Sequence, residues 1–381
     1  MKKEYKVCSK TVMDTSDKYI KFDSNNISNH YWEFQNKIKL NWDKSIKNEG
    51  FSELEKIIEK IKKKGKNKDF DCIVGLSGGM DSSYMLHVLV KEFGLRPLAF
   101  HVDGGWNSDI AVSNINKLID KLNLDLFTEV INWREMKEFQ LAMFKSGVPH
   151  LDIPQDMAFI ATLYKFADKY SIKYIMNGGN ISTECVLMPL NIFYWGTDMI
   201  HIKDILSKFA KTPIKSFPFS SIYYHKIYLR YLKQIKVVKP LNFVPYYKKD
   251  AQNLLQKIYG WVPYEQKHFE SRFTKFLEGY WLPSRFNYDM RRNQFSSLIL
   301  TSQMSRKDAL EKLEKKSYNE THIFEELKYI ATKLGISFDE LDSYHKMPLK
   351  YYWNYRNQEK LFRFGEKILS LISKTRRGGA Y

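Results

Sequence analysis

The run Ser77-Gly78-Gly79-Met80-Asp81-Ser82-Ser83 carries the residue types that an oxyanion needs at a strand-to-helix turn. Glycines without Cβ atoms let backbone N–H groups close around a phosphate, and the following helix adds unpaired donors and the positive end of its dipole. Ser77, Ser82 and Ser83 supply hydroxyls, and Asp81 supplies a carboxylate suited to magnesium beside the phosphates. No lysine follows the glycines, so this is not the GxxxxGK[ST] loop that reaches a γ-phosphate.

Two further polar turns fit the same site. His101-Val102-Asp103-Gly104-Gly105-Trp106-Asn107 ends an apolar run, where His101 and Asp103 can meet a ribose or a base and Asn107 can face the second substrate; the plainer reading is a helix-capping aspartate. Asn177-Gly178-Gly179-Asn180-Ile181-Ser182-Thr183-Glu184 ends another, with Gly178, Gly179, Asn180 and Thr183 facing the nucleotide and Glu184 facing a second substrate. A Thr-capped structural turn is the alternative. Downstream, Lys267, His268, Glu270, Arg272, Arg291 and Arg292 form a mainly basic set suited to an anionic substrate or, equally, to a domain interface. Lys267 and His268 join Ser77 and Asp81 as candidate catalytic residues.

The elements that must hold these turns follow from periodicity. Short apolar runs at 73–76, 98–102, 126–131 and 174–176 read as buried strands, separated by amphipathic helices near 82–93, 108–122 and 155–170. This is the rhythm of an α/β fold with a parallel sheet, whose ligands sit beyond the carboxyl ends of the strands. A helix over 51–64 with Leu54, Ile57, Ile58 and Ile61 on one face leads into it, and the lysines at 62–68 read as a solvated exit. Beyond about residue 205 the rhythm gives way to helical stretches at 249–259, 305–315, 322–334 and 358–373. There Ser305 with Asp308 resembles a capping box, and the tail 373–381 is expected to fray. The expected organisation is an irregular N-terminal segment (1–50), a nucleotide-binding domain (51–210) and a mainly helical substrate or partner region (211–381).

Composition narrows the class. The chain has 381 residues, 44% hydrophobic and 15% aromatic, which is too apolar for disorder, and no run of apolar residues is long enough to span a membrane. The N-terminus lacks the apolar core of a secretion signal, so a cytoplasmic protein is expected. Three widely spaced cysteines, Cys8, Cys72 and Cys185, support neither a disulfide framework nor a four-thiolate metal site. The net charge of +18 admits polyanionic partners, although a lysine-rich bias spread over solvated surface accounts for it as well.

The Ser77–Ser83 unit resembles the SGGxDS loop of the PP-loop ATP pyrophosphatase superfamily, in which the loop holds the pyrophosphate leaving ATP. A wider resemblance covers most of the chain, through residues 11–17, the loop, 101–108, 178–184, 267–274 and 289–303: the sequence is similar to N-acetyl sugar amidotransferases of bacterial surface-polysaccharide and flagellin-glycan biosynthesis. That resemblance implies ATP and Mg2+ as cofactors and adenylation of an acetamido oxygen on a sugar or nucleotide sugar. Ammonia would then displace AMP, leaving an acetamidino group. It also implies separate glutaminase and cyclase-like subunits as the ammonia source, because the chain shows no activated cysteine of its own. Members of the family commonly carry two CxxC pairs near the N-terminus. Here the aligned positions are Cys8, Thr11, Ser28 and Tyr31, so no zinc is expected.

Two other classes stay open on sequence. A tRNA-thiolating enzyme would suit the basic charge and would need Cys185 as sulfur carrier, while nucleic acid is otherwise not an expected partner. A non-catalytic ATP-binding scaffold would keep the loop without turnover.

Overall fold

A computed structural model describes residues 4–318 and 322–372; the expected frayed tail at 373–381 lies outside the described residues. Five strands form one wholly parallel sheet in the order β3-β2-β1-β4-β5: β1 Cys72–Gly75, β2 Pro97–Asp103, β3 Leu126–Val130, β4 Tyr174–Met176 and β5 Lys236–Val238. The α/β class read from the sequence is the class observed.

Alternation along the strands explains the layering, because successive side chains of a strand point to opposite faces. Ile73, Leu98, Phe100 and Ile175 enter one apolar core, whereas Cys72, Val74, Ala99, Tyr174 and Met176 enter the other. The second core is closed by α1 (Phe51–Gly65), α2 (Met80–His87), α3 (Asp109–Leu122) and, from far downstream, a helix over Lys248–Tyr259. The first is closed by α4 (Trp133–Ser146), α5 (Ile153–Lys169) and the C-terminal helices. Burying Leu54, Ile58 and Ile61 of α1 contributes on the order of 2 kcal/mol for each side chain. Covered on both faces, the central strands read as continuous apolar runs rather than alternating ones.

Three features depart from the sequence expectation. β3 is an edge strand, not a buried one: it pairs only with β2, and Phe127 and Val130 are exposed. α4 fills the stretch between β3 and α5, for which periodicity predicts no element. β5 lies well past residue 205, where no strand is expected, yet it registers Tyr174 against Lys236 and Met176 against Val238.

The chain builds β1, β2 and β3 outward in one direction and then crosses back to place β4 on the other side of β1. The carboxyl ends of β1 and β4 therefore diverge at a topological switch point, the place where an open α/β sheet leaves a crevice for a ligand. Beyond β4 the chain runs through α6 (Ile181–Glu184) and α7 (Met199–Phe209) to β5. It then continues through α8, the Lys248–Tyr259 helix, α9 (Arg272–Phe276), α10 (Arg291–Leu300), α11 (Arg306–Glu314) and α12 (Ile323–Leu334). Ser305 caps α11 by accepting from the Asp308 amide, which is one half of the expected capping box. No helix among the described residues is long and apolar enough to cross a membrane.

Candidate active site

The loop from β1 into α2 has the shape that its glycines require. Gly78 sits at φ +81°, and a Cβ there would lie 2.7 Å from the carbonyl oxygen of Ala111. The loop is held from outside: Trp261 Nε1 and Tyr264 OH both donate to the Gly78 carbonyl, at 3.2 and 3.1 Å. Inside it, Ser77 Oγ accepts from the Gly79 amide at 3.2 Å and donates to Glu270 Oε1 at 3.3 Å, while Ser82 Oγ donates to the Gly79 carbonyl at 3.2 Å. Ser83 is buried in the first turn of α2. These weak internal bonds leave the loop donors close to the geometry an anion would take over.

The second glycine turn lies against the first. A Cβ on Gly178 would lie 3.1 Å from the Ser82 amide nitrogen, so the two loops touch through backbone. Asn180 caps α6, its Oδ1 accepting from the amide and the hydroxyl of Thr183 at 2.8 and 3.1 Å. Asn177 Oδ1 in turn accepts from the Gly179 amide at 2.7 Å.

Lys267 joins the two loops. Its Nζ stands 2.8 Å from Asp81 Oδ2, 2.6 Å from Glu184 Oε1 and 2.8 Å from Thr183 Oγ1. Tyr246, fully buried, donates its hydroxyl to the other oxygen of Asp81. Burial favours the neutral form of Asp81, but the Lys267 ammonium and its hydrogen bonds outweigh that and hold the carboxyl below its ordinary value. Burial likewise opposes the charge on Lys267, and Asp81 with Glu184 raises it above the ordinary lysine value. Both groups are therefore charged at neutral pH. Asp81 and Glu184 are hard oxygen donors of the kind that would hold a magnesium ion in place of the Lys267 ammonium they face.

His268 follows at φ +67°, with Nδ1 3.0 Å from Glu278 Oε1. Burial works against the imidazolium, but Glu278 raises it to about 9, so His268 is a cation at neutral pH rather than a ready base. Glu270 shows the reverse: burial pushes its carboxyl up, countered in part by His268.

The β2 turn is ordered in the same way. His101 Nδ1 donates to the Leu76 carbonyl at 2.8 Å, which leaves Nε2 to accept from Asn107 Nδ2 at 2.9 Å. Asn107 also reaches Asp103 Oδ1 at 3.1 Å, and the same oxygen accepts from the Gly105 amide at 2.7 Å. Asn107 pairs with Ser271 in an isolated antiparallel bridge, and the Ser108 amide donates to the Glu270 carbonyl at 3.0 Å. The segment around Glu270 thus crosses the carboxyl edge of the sheet from the β2 turn to the SGG loop.

Three of the candidate substrate residues face partners within the fold. Arg272 donates to Glu326 at 3.0 Å and lies 3.4 Å over the ring of Tyr329, which ties α9 to α12. Arg291 is buried, clamped by Asp289 at 2.6 Å and by the carbonyls of Lys312 and Lys315. Arg292 reaches back to Asp14 at 3.0 Å and to the Val12 carbonyl at 2.8 Å. All three have internal partners that neutralise or saturate them, an arrangement in keeping with the interface alternative.

Sequence reasoning missed Tyr246 and the buried carboxyl of Asp152. Thr274 Oγ1 donates to Asp152 at 2.6 Å, and burial followed by the nearby Asp156 pushes its carboxyl up to about 7. Nothing in their spacing singles these residues out.

Near the N-terminus, Cys8, Thr11 and Ser28 are all buried, and Cys8 Sγ accepts from the amides of Ser28 and Lys10 at 3.2 and 3.4 Å. One thiol among two hydroxyl residues and Tyr31 is not a donor set for zinc. Arg306 secures the turn instead, donating to the carbonyls of Cys8 and Thr11 at 3.0 Å each. Met13, Ile20, Phe34 and Trp42 complete the attachment by packing with Ile181 and Cys185 beside the second glycine turn.

Residues 270–369 match a protein family described as LPS biosynthesis protein WbpG-like, C-terminal domain. No curated protein matches the sequence. Among solved structures, the chain is similar to NMN synthetase from Francisella tularensis, with 15% identity and a TM-score of 0.29 over 59% of this chain and 91% of that one. It is similar to NH3-dependent NAD synthetase from Campylobacter jejuni, with 18% identity and a TM-score of 0.28 over 66% and 95%. A third is the U34-tRNA thiolase NcsA from Methanococcus maripaludis, with 12% identity and a TM-score of 0.32 over 78% and 81%. Likeness at this level carries no argument about activity. What defines the class is the parallel sheet with its switch point and the strand-SGGxDSS-helix unit there, an α/β fold that presents an anion-binding loop at its ligand crevice.

Proposed function

We propose that the protein is an ATP-dependent, AMP- and pyrophosphate-forming amidotransferase that converts the acetamido group of an N-acetyl sugar to an acetamidino group in lipopolysaccharide biosynthesis. The observation that carries this reading is the Lys267 bridge between Asp81 of the SGG loop and Glu184 of the second glycine turn. The match of residues 270–369 to a lipopolysaccharide-biosynthesis family supports the sugar.

In this reading the SGG amides, Ser77, Ser82 and Ser83 hold the β- and γ-phosphates, and His101, Asp103 and Asn107 face the nucleoside. The acetamido oxygen attacks the α-phosphorus, a P–O bond forms, and the bond to the β-phosphate breaks with release of pyrophosphate. Ammonia adds to the imidate carbon, its surplus protons pass to solvent, and the C–O bond breaks so that the sugar oxygen departs on AMP. A bound magnesium ion, held by Asp81 and Glu184, would supply charge neutralisation for the departing pyrophosphate. Lys267, released from its carboxylates, supplies a positive charge where the α-phosphate gains electron density, and Tyr246 fixes the Asp81 rotamer. His268, already an imidazolium, serves as a charge rather than as a base.

Thiolation through Cys185 or Cys72 is disfavoured. Burial pushes the Cys185 thiol up to about 12 and the Cys72 thiol higher still, which removes the thiolate that a sulfur carrier needs. The test is release of pyrophosphate and AMP from ATP, magnesium and ammonium with a panel of N-acetylated sugars and nucleotide sugars, against unmodified tRNA. Sugar-dependent release, with a product lighter by the difference between O and NH, is expected. Release with tRNA alone sinks the proposal, and turnover by the isolated chain on glutamine alone refutes an external ammonia source.

A further inference from the structure

The segment that carries Lys267 brings a second charged side chain into the same pocket. Glu270 Oε1 accepts from Ser77 Oγ at 3.3 Å and lies 2.6 Å from where a Gly79 Cβ would be, so the missing side chain at Gly79 is what lets the carboxyl stand against the loop. A serine hydroxyl has one proton to donate, and the one on Ser77 goes to Glu270. A phosphate oxygen entering the loop would need that same proton.

The charges follow the same pattern. Lys267 holds its ammonium between Asp81 and Glu184, while Glu270 holds its carboxyl against Ser77 and Gly79. One short segment thus presents a cation to the carboxylates that suit a metal, and an acid to the loop that suits a phosphate. His268, between the two, takes φ +67°, a conformation that residues with a side chain rarely adopt. Burial opposes the charge on Glu270; the His268 imidazolium and, less strongly, Lys267 favour it, and Asp81 works against it.

The backbone around Glu270 is fixed to the β2 turn. The Ser108 amide donates to the Glu270 carbonyl at 3.0 Å, and the Arg272 amide donates to the Trp106 carbonyl at 2.9 Å. The Glu270 side chain, itself half-buried, can therefore leave the loop by rotating about its own bonds while the main-chain bonds stay in place.

We propose that Glu270 closes the SGG loop in the unliganded protein as an internal competitor of pyrophosphate, swinging out when the phosphates of ATP enter and returning to help expel pyrophosphate after it is released. A carboxylate and a polyphosphate in one loop repel each other, and more strongly there than in bulk water. ATP wins the exchange because its nucleoside adds contacts at the β2 turn, which free pyrophosphate lacks. The inference rests on the proposed use of the SGG loop for the phosphates of ATP, and it adds the group that controls occupancy of that loop.

The test is calorimetric titration of the full chain as wild type, Glu270→Gln and Glu270→Ala. The probes are pyrophosphate with magnesium, α,β-methylene-ATP with magnesium, and adenosine. Glutamine keeps the shape and removes the charge, whereas alanine removes both. Each variant should bind pyrophosphate at least about tenfold more tightly than wild type, the scale of one charge repulsion in a pocket shielded from most of the solvent. Affinity for adenosine should stay within about twofold, because the β2 turn is untouched. Unchanged pyrophosphate affinity in both variants overturns the proposal. Weaker binding also overturns it, by making Glu270 a partner of the phosphates or of their metal. Tightening shared equally by adenosine would mean a general opening of the pocket and overturns it too. If none of the three proteins binds pyrophosphate or methylene-ATP, the loop is no phosphate site and the proposed function falls with it. Melting curves for each variant keep a folding defect from passing as a binding one.

Discussion

Lys267 Nζ lies 2.8 Å from Asp81 Oδ2, which makes a residue from the helical third of the chain the counterion of the SGG loop. Shielded from most of the solvent, the pair lowers Asp81 and raises Lys267 in concert. Whatever binds at the loop must compete with this cation or use it.

Replacing Asp81 separates chemistry from stability. Asp81→Asn keeps an acceptor for the Tyr246 hydroxyl, so the melting temperature should change little, whereas pyrophosphate release should fall by at least ~100-fold. Asp81→Ala should lose activity equally and also cost about 1–3 kcal/mol, because it strands a buried hydroxyl. Full activity in the Asn variant would remove Asp81 from the mechanism.

Gly78→Ala should be among the most damaging changes in the loop. At φ +81° a side chain adds roughly 1–3 kcal/mol of backbone strain, and its Cβ would press on the Ala111 carbonyl at 2.7 Å. Loss of nucleotide binding together with a lower melting temperature is expected. An unaffected Kd for ATP would show that the loop tolerates another shape.

His268 links stability to pH in a defined direction. Its folded value, about 9, lies above the unfolded value near ~6.5, so the His268–Glu278 pair stabilises fully below the lower value and fades as pH rises through the upper one. Melting temperature measured from about pH 6 to about pH 10 should fall across that window in wild type and less in Glu278→Gln. NMR titration of the His268 ring locates the midpoint directly. A midpoint near the ordinary histidine value contradicts the pairing.

Cys185→Ala should leave ATP-dependent pyrophosphate release unchanged at the cost of some packing beside Ile181 and Met13. Iodoacetamide should label the native protein slowly, given a buried thiol raised to about 12. An inactive Cys185→Ala variant with normal melting would reopen sulfur transfer.

Much of the site is written locally in the sequence. Ser77–Ser83, His101–Asn107 and Asn177–Glu184 each follow an apolar strand, and a turn flanked by a strand and a helix can be read without knowing anything distant. What joins them could not be read that way. Lys267 and Asp81 are both recognisable residues, but their contact depends on a chain crossing that leaves no periodic trace. Tyr246 is one of 25 tyrosines, so residue type alone does not mark it. β5 escaped for a related reason: three residues beside Pro240 make too short a run to show a period. The partners of the three arginines were not legible either, because a basic cluster looks the same in sequence whether it awaits an anion or already holds Glu326, Asp289 or Asp14.

The lateness of β5 has a consequence for how the gene can be divided. A break where the strand-helix rhythm stops, near residue 210, would leave β4 as a bare sheet margin with Tyr174–Met176 open to pairing with other chains. The same break would separate Asp81 from both Tyr246 and Lys267. Neither fragment holds a finished fold or a finished site, so the two halves should be insoluble apart and regain a native sheet only when produced together.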